Sequence, residues 1–391
     1  MSPPYKVMLV AAEASGDVLG AGLAQAIRRR LKGEAVRFVG VGGAAMSAEG
    51  IESPFEISQL SILGAFEGVK AYPRVLARVR DTAALARREK PDIAVLIDSW
   101  GFTLRVARAL RRQDPGLPLV KYVAPQVWAT RPGRARVLAG AVDHLLATQV
   151  MDAPYFERAG LATTFVGAAA FTRDLGQADP DRFRASIGAA RETPILLMLP
   201  GSRPAEIERV LPPFEDAVHR LKTERPELRV IVPAASTVAE LVRSRVAGWP
   251  DAAHVVTNDA EKFDAMAAAT VALACSGSVT TELALAGCPM VVGYRIGSIT
   301  YAIVKRLIRT PYITLFNIAA QAFVAPEFIQ DQCTGEHLAQ AVAERLDDPA
   351  LRARQVAAQN VALEKMGRGG PDSADRAAEV VIRMMQRRPP A

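Results

Sequence analysis

Asp98 directly follows the apolar run at residues 93–97. A carboxylate at the end of a buried strand sits at the mouth of its sheet, where partial desolvation suits it to take a proton from a hydroxyl. The same residue could instead cap a helix starting near Thr103 or pair with Arg105. Leu199-Pro200-Gly201-Ser202-Arg203 closes another apolar run. There Gly201 and Ser202 expose backbone N–H groups, and Arg203 offers a fork of donors matched to phosphate oxygens. A third cluster is Cys275-Ser276-Gly277-Ser278, followed by Glu282. The Ser-Gly-Ser turn can hold a second phosphate edge, and a carboxylate one turn into the next helix can accept hydrogen bonds from two ribose hydroxyls. A fourth is Glu13-Ala14-Ser15-Gly16-Asp17, where Ser15 and Gly16 let backbone amides approach a ligand at a helix start. Its plainer reading is a capped turn with Asp17 near the N-cap.

Each cluster needs a strand before it and a helix after it, and the chain supplies both. Short apolar runs at 7–11, 36–41, 93–97, 119–123, 144–147 and 164–166 alternate with amphipathic stretches such as 19–31, 72–88 and 104–112. A second series runs through 195–199, 229–232, 254–256, 271–274 and 290–292. Continuous apolar strands alternating with helices imply parallel sheets covered on both faces. The expected fold is therefore α/β, with two Rossmann-like domains facing across a cleft. The first covers residues 1–167 and is joined through a polar linker at 168–193 to a second at 194–366. A C-terminal helix and tail at 367–391 is expected to cross back to the first domain. Doubly wound sheets bind ligands outside the carboxyl ends of their strands, where all four clusters fall. Phe38-Val39-Gly40-Val41-Gly42-Gly43 is a weak dinucleotide signal, because it lacks the G-x-G-x-x-G spacing.

Composition removes several function classes. Half of the 391 residues are apolar, which supports sizeable cores and argues against disorder. The formal charge of +7 is spread along the chain without an aromatic–basic cluster, so no nucleic-acid partner is expected. Anionic phosphate ligands or an anionic membrane surface account for it instead. Three cysteines and four histidines lie scattered without metal-ligand spacing, so no metal is expected. Residues 1–10 carry no long h-region or cleavage signal, residues 6–10 reading as a first strand rather than a leader, and no apolar stretch is long enough to span a membrane. Residues 57–80 carry Leu60, Ile62, Leu63, Phe66, Val69 and Tyr72 beside Lys70, Arg74, Arg78 and Arg80. That pattern suits a peripheral membrane contact or an ordinary buried helix with a basic outer face.

With these motifs in place, the chain resembles the lipid-A-disaccharide synthase family of GT-B glycosyltransferases from end to end. The resemblance rests on Glu13–Asp17 with Val18-Leu19-Gly20-Ala21-Gly22-Leu23, on residues 38–43, on Ile97-Asp98, and on Tyr122-Val123-Ala124-Pro125-Gln126-Val127-Trp128. It continues through residues 199–203 and Pro289-Met290-Val291-Val292-Gly293-Tyr294-Arg295, then Lys305-Arg306-Leu307 and Thr310-Pro311-Tyr312. It implies an inverting, UDP-sugar-dependent hexosyltransferase of lipid A and lipopolysaccharide biosynthesis. The donor would be UDP-2,3-diacylglucosamine and the acceptor 2,3-diacylglucosamine 1-phosphate, giving the β-1,6 disaccharide and UDP. Carried over residue by residue, Asp98 falls on the candidate base and Arg203 on the phosphate-binding arginine. Ser276, Gly277 and Glu282 fall on the nucleotide loop and ribose acid, and Asn317 on an asparagine of the loop after Tyr312. The resemblance implies no cofactor and no metal. It implies a cytoplasmic enzyme held peripherally at the inner face of the inner membrane, with a homodimer among its expected assemblies.

Several family positions differ here. Ser99-Trp100-Gly101-Phe102 stands for Ala-Pro-Asp-Phe, and Gly167-Ala168 for Gly-His. Residues 148–152 replace a Leu-Pro-Phe-Glu run, and Trp128-Ala129-Thr130 a Trp-Ala-Trp. Residues 315–323 lose an arginine and a glutamate at Ala322 and Phe323. The expectation is that UDP binding survives while activity on the standard acceptor is reduced or redirected, with Arg173, Arg295 and Lys305 as candidates for compensation. The alternatives are a paralogous glycosyltransferase with another lipid acceptor, or a UDP-binding protein of weak activity. A UDP-sugar epimerase is less favoured, because it needs acid and base groups on both faces of the sugar.

Overall fold

A computed structural model of the chain describes residues 5–32, 35–60, 65–128, 131–168, 171, 177–235, 238–249, 253–306, 308 and 310–387. Ile62, Leu63, Ala129, Thr130, Arg173 and Leu307, each singled out above, lie outside these residues, as does the tail from Arg388. The chain divides into two compact units, Met1–Thr172 with Gly369–Ala391, and Arg173–Arg368.

The first unit holds strands β1 (Tyr5–Val10), β2 (Val36–Val41), β3 (Ile93–Ile97), β4 (Leu119–Tyr122), β5 (His144–Ala147) and β6 (Ala162–Phe165). They form one parallel sheet in the order β2-β1-β3-β4-β5-β6. Every residue of β3 is buried, as its unbroken apolar sequence requires of a strand covered on both faces. Val10 is in register with Val41 and with Leu96, so the loops starting at Ala11, Gly42 and Asp98 leave the sheet side by side. The strand order reverses between β1 and β3, which makes that edge the switch point where doubly wound sheets bind ligands. Helices α1 (Ala14–Leu31), α2 (Ala44–Ala48), α3 (Ala65–Glu89), α4 (Trp100–Gln113), α5 (Arg134–Ala139) and α6 (Ala153–Glu157) connect the strands.

The second unit repeats the plan. Its helices α7 (Pro180–Ser186), α8 (Pro204–Glu224), α9 (Ala239–Val246), α10 (Asp259–Ala268), α11 (Ser278–Leu285), α12 (Ser298–Lys305), α13 (Leu315–Ala320), α14 (Gly335–Asp347) and α15 (Pro349–Lys365) flank a second parallel sheet. The strands are β7 (Ile195–Leu199), β8 (Arg229–Pro233), β9 (His254–Val256), β10 (Val271–Cys275), β11 (Met290–Tyr294) and β12 (Glu327–Ile329), ordered β12-β11-β10-β7-β8-β9. Here the switch point lies between β7 and β10. Leu199 is in register with Ala274, so the glycine–serine turns after both strands emerge together. The edge strand β12 is absent from the sequence expectation, because three residues led by a glutamate carry no apolar run. Residues 180–186, inside the expected linker, form α7, and Arg182 anchors it to the buried Asp264 of α10 through hydrogen bonds of 2.6–2.9 Å.

The final helix, α16 (Ser373–Gln386), belongs to the first unit. Its Ala377, Ala378, Val381 and Met385 join Leu23, Ala24 and Ile27 of α1 in one core, which burial of the apolar stripe drives. Asp372 caps it by accepting from Ala374 and Asp375 N–H, and Arg29 of α1 reaches Asp375 at 3.1 Å. Among the described residues, no helix is long and apolar enough to cross a membrane.

Candidate functional site

In the second unit, a cavity of about 610 Å3 opens at the β7/β10 switch point. Its walls include Gly201, Ser202, Arg203, Ser276, Gly277, Ser278 and Glu282, so the structure brings seven of the sequence-selected residues to one place. Gly201 has φ +119°, and a Cβ there would come within 3.0 Å of Glu206, so this turn needs glycine. Arg203 takes the N-cap position of α8 and Pro204, which has no N–H, begins the helix, so the donors considered at this wall are the Ser202 N–H and the Arg203 guanidinium. Glu206 already occupies those donors. Its carboxylate accepts from Ser202 N–H and from the Arg203 guanidinium, each at 3.2 Å. The two donors chosen for phosphate therefore bind an oxyanion of the protein itself, which shows that their geometry suits one.

Glu282 lies in α11 and is 8% exposed. Lys262 of α10 approaches its Oε2 to 3.3 Å and lines the same cavity. Sequence reasoning missed Lys262. The available signal was Asn258, whose Oδ1 accepts from Glu261 N–H and so starts α10 at the end of β9. Pro233, Ala234 and Val256, at the ends of β8 and β9, add an apolar wall. Cys275 also lines the cavity, and burial pushes its thiol up to about 12, which keeps it neutral and unreactive.

Asn317 is not brought to this cavity. Its buried side chain accepts from Ala325 N–H and donates to the carbonyl of Ala325 and to Glu327 Oε1. Glu327 also accepts from the backbone of Ile313 and Thr314. The Ser276 hydroxyl meets the Ile313 carbonyl at 3.5 Å. Asn317 thus braces the loop behind the Ser276–Ser278 turn. In that loop Phe323 is 60% exposed and packs edge-on against Tyr312.

In the first unit, the β1/β3 switch point carries Ser15, Gly16 and Asp98. Ser15 is exposed in the first turn of α1. Gly16 is buried, and a Cβ there would touch Ala11 and Ile97 at 3.3–3.5 Å, so it lets α1 pack against the end of β3. Asp17 does not cap its own helix as the plainer reading had it. Its carboxylate accepts from the amides of Gly43, Ala45 and Met46 at 2.7–3.0 Å, capping α2 and fixing the glycine loop after β2. The reason is a contact 26 or more residues distant, invisible to local capping rules.

Asp98 and Ser99 both take positive φ, 48° and 38°, turning the chain sharply off β3. This sharp turn starts α4 at Trp100, with Ser99 at the N-cap making no side-chain cap bond. Arg105 donates to the carbonyl of Gly101. Neither structural alternative for Asp98 is realised in this geometry. Beneath the turn lies Lys121 of β4, 3% exposed. Its ammonium donates to the Asp98 carbonyl and to Thr103 Oγ1, and Thr103 Oγ1 donates in turn to Asp98 and Ser99 carbonyls. Burial brings the Lys121 ammonium down to about 7, against the pull of Asp98 and Glu13. Nothing in the apolar strand pattern marks this lysine. Asp152 is a second unusual group: burial raises it to about 7, against the Trp128 indole N–H that donates to it at 3.0 Å.

Of the basic–apolar stretch at 57–80, Ile57 and Leu60 pack into the core and Val75 and Val79 are buried. Tyr72 is exposed, with Arg105 over its ring. Among the described residues, no group of three or more His, Cys, Asp or Glu could hold a metal ion.

Comparison with known proteins fits this geometry. A family model described as lipid-A-disaccharide synthetase matches residues 7–381. The chain is 40% identical to a lipid-A-disaccharide synthase of Rhodospirillum centenum, over 98% of this chain and 96% of the relative. It is 42% identical to one of Nitrobacter hamburgensis, over 97% and 96%. Among solved structures, a putative UDP-N-acetylglucosamine 2-epimerase from Listeria monocytogenes superposes with TM-score 0.68 at 15% identity, over 99% and 98% of the two chains. At that identity the likeness shows a shared fold.

Proposed function

This chain belongs to the lipid-A-disaccharide synthase family and is a UDP-sugar glycosyltransferase of lipid A disaccharide synthesis, and from that premise we propose how its two units divide the work. The second unit binds UDP. Arg203 and the Gly201–Ser202 amides hold the diphosphate, the Ser276–Ser278 turn its other edge, and Glu282 the ribose hydroxyls. The observation that carries this reading is the one cavity that gathers these groups at the β7/β10 switch point.

The first unit supplies Asp98 as general base on the acceptor. The 6-hydroxyl of 2,3-diacylglucosamine 1-phosphate attacks the anomeric carbon of UDP-2,3-diacylglucosamine as its proton passes to the Asp98 carboxylate. The bond from that carbon to the UDP oxygen breaks with inversion, giving the β-1,6 link. Arg203, released from Glu206, and the Ser202 amide stabilise the charge that develops on UDP. This chemistry needs no metal or other cofactor. The enzyme works at the inner face of the inner membrane, where residues 57–80 meet anionic lipid and the acylated substrates reside, as a homodimer.

The direct test is incubation with both substrates, following disaccharide and UDP, beside a family member carrying the standard residues at positions 101, 168, 322 and 323. A rate equal to the standard enzyme shows these positions are dispensable. UDP binding without disaccharide refutes the acceptor assignment.

A further inference from the structure

Trp100 opens α4 two residues after Asp98, and its ring is partly buried against the core. The Arg134 guanidinium lies over that ring, 5.1 Å from its centre. Arg131 adds a second positive charge close enough to oppose that of Arg134. Burial and this repulsion both push Arg134 below the ordinary guanidinium range. Among the described residues, neither arginine has a carboxylate partner. Of the nearby arginines, Arg78 pairs with Asp81, Arg111 pairs with Asp143, and Arg105 donates to the Gly101 carbonyl. Arg131 is exposed and Arg134 partly buried over the Trp100 ring, so this positive charge stands open to an anion from solution.

We propose that Arg131 and Arg134, with Trp100 as platform, form the subsite that reads the anomeric phosphate of the acceptor sugar. The proposal rests on Asp98 being the acceptor base. The 6-hydroxyl is carried by way of C5 and the anomeric phosphate by C1, the two carbons that flank the ring oxygen, so the phosphate group belongs within about a sugar's width of Asp98. Consecutive Cα atoms are about 3.8 Å apart, so Trp100 is within about 7.6 Å of Asp98 along the chain, and its ring carries Arg134 outward from there. A phosphomonoester carries nearly two negative charges near neutral pH, and a guanidinium meets its oxygens with two parallel donors. Stacking on the indole fixes the plane of that fork.

The test compares the acceptor with its analogue lacking the 1-phosphate, in nonionic micelles free of anionic lipid. Arg134→Ala should lower kcat/KM for the phosphorylated acceptor about 10- to 100-fold and change the analogue's less than threefold. Arg131→Ala should do the same more weakly. Arg134→Lys, which keeps the charge without the planar fork, should fall between wild type and Arg134→Ala. Equal losses on both acceptors, or none on either, overturn the subsite. So does a defect confined to sedimentation with phosphatidylglycerol vesicles, which assigns the arginines to lipid headgroups. Calorimetric titration with glucosamine 1-phosphate and with glucosamine reads the subsite without turnover. Phosphate-dependent binding lost in Arg134→Ala, with no disaccharide formed by wild type, keeps the anion site and sinks the acceptor reading instead.

Discussion

Replacing Lys121 by methionine removes a buried ammonium from under the Asp98 turn while keeping a side chain of similar length. In the folded protein its value falls from 10.5 to about 7, chiefly through burial. At about 1.4 kcal/mol per pH unit, that difference amounts to roughly 5 kcal/mol of folding free energy. The sign follows from proton counting. Between pH 7 and 10.5 the unfolded chain holds the proton and the folded chain has released it, so stability rises with pH across that window. Below pH 7 both states are protonated and the full cost is present. Between pH 7 and 9.5 the wild type should gain on the order of 3 kcal/mol relative to Lys121→Met. The variant also leaves the Asp98 carbonyl and Thr103 hydroxyl without their donor, a cost of about 1–3 kcal/mol. That second effect is independent of pH, so it offsets the two curves without changing the slope of their difference. Urea unfolding of both proteins at pH 7.0, 8.0 and 9.5 measures the slope directly. A difference that stays flat over this range would mean that Lys121 keeps its proton in the fold, and the burial argument fails.

Asp152→Asn probes the opposite case. Its carboxyl is raised to about 7, so the wild type should lose stability between pH 4 and 7, and the variant should be more stable at pH 8 by up to about 4 kcal/mol; identical pH profiles in thermal unfolding would refute this. Arg203→Ala and Glu282→Ala should each weaken UDP about tenfold or more in calorimetric titration, with the fold intact by circular dichroism. Unchanged affinity in both would return these residues to the ion pairs they make with Glu206 and Lys262. Asp98→Asn should cut turnover about 100- to 10,000-fold while UDP affinity stays within about twofold; near wild-type turnover removes it as the base.

The sequence was enough wherever the physics is local. Unbroken apolar runs such as Ile93–Ile97 and Ile195–Leu199 can be little else than strands buried on both faces, and the structure has them with those limits. Because ligand loops follow strands directly, Asp98, Gly201–Arg203 and Ser276–Ser278 could be read as strand-end groups without knowing strand order. The resemblance to lipid-A-disaccharide synthases was likewise legible in linear runs such as residues 289–295.

What the sequence could not decide were the pairings between groups far apart along it. Lys121 reaches Asp98 across 23 residues, Asp17 reaches Gly43 across 26, and Lys262 reaches Glu282 across 20. Each pairing depends on which strands are neighbours and on their register, and a one-residue slip would turn every side chain to the other face. The return of α16 to the first unit depends on its apolar stripe meeting α1, some 350 residues earlier. Asn317 is the sharpest instance: its place in a linear motif pointed to a ligand, and packing gave its amide to Ala325 and Glu327. Strand identity is set by the hydrophobic period of a few neighbouring residues. Which polar group meets which is set by the sheet order, and that exists only once the chain has folded.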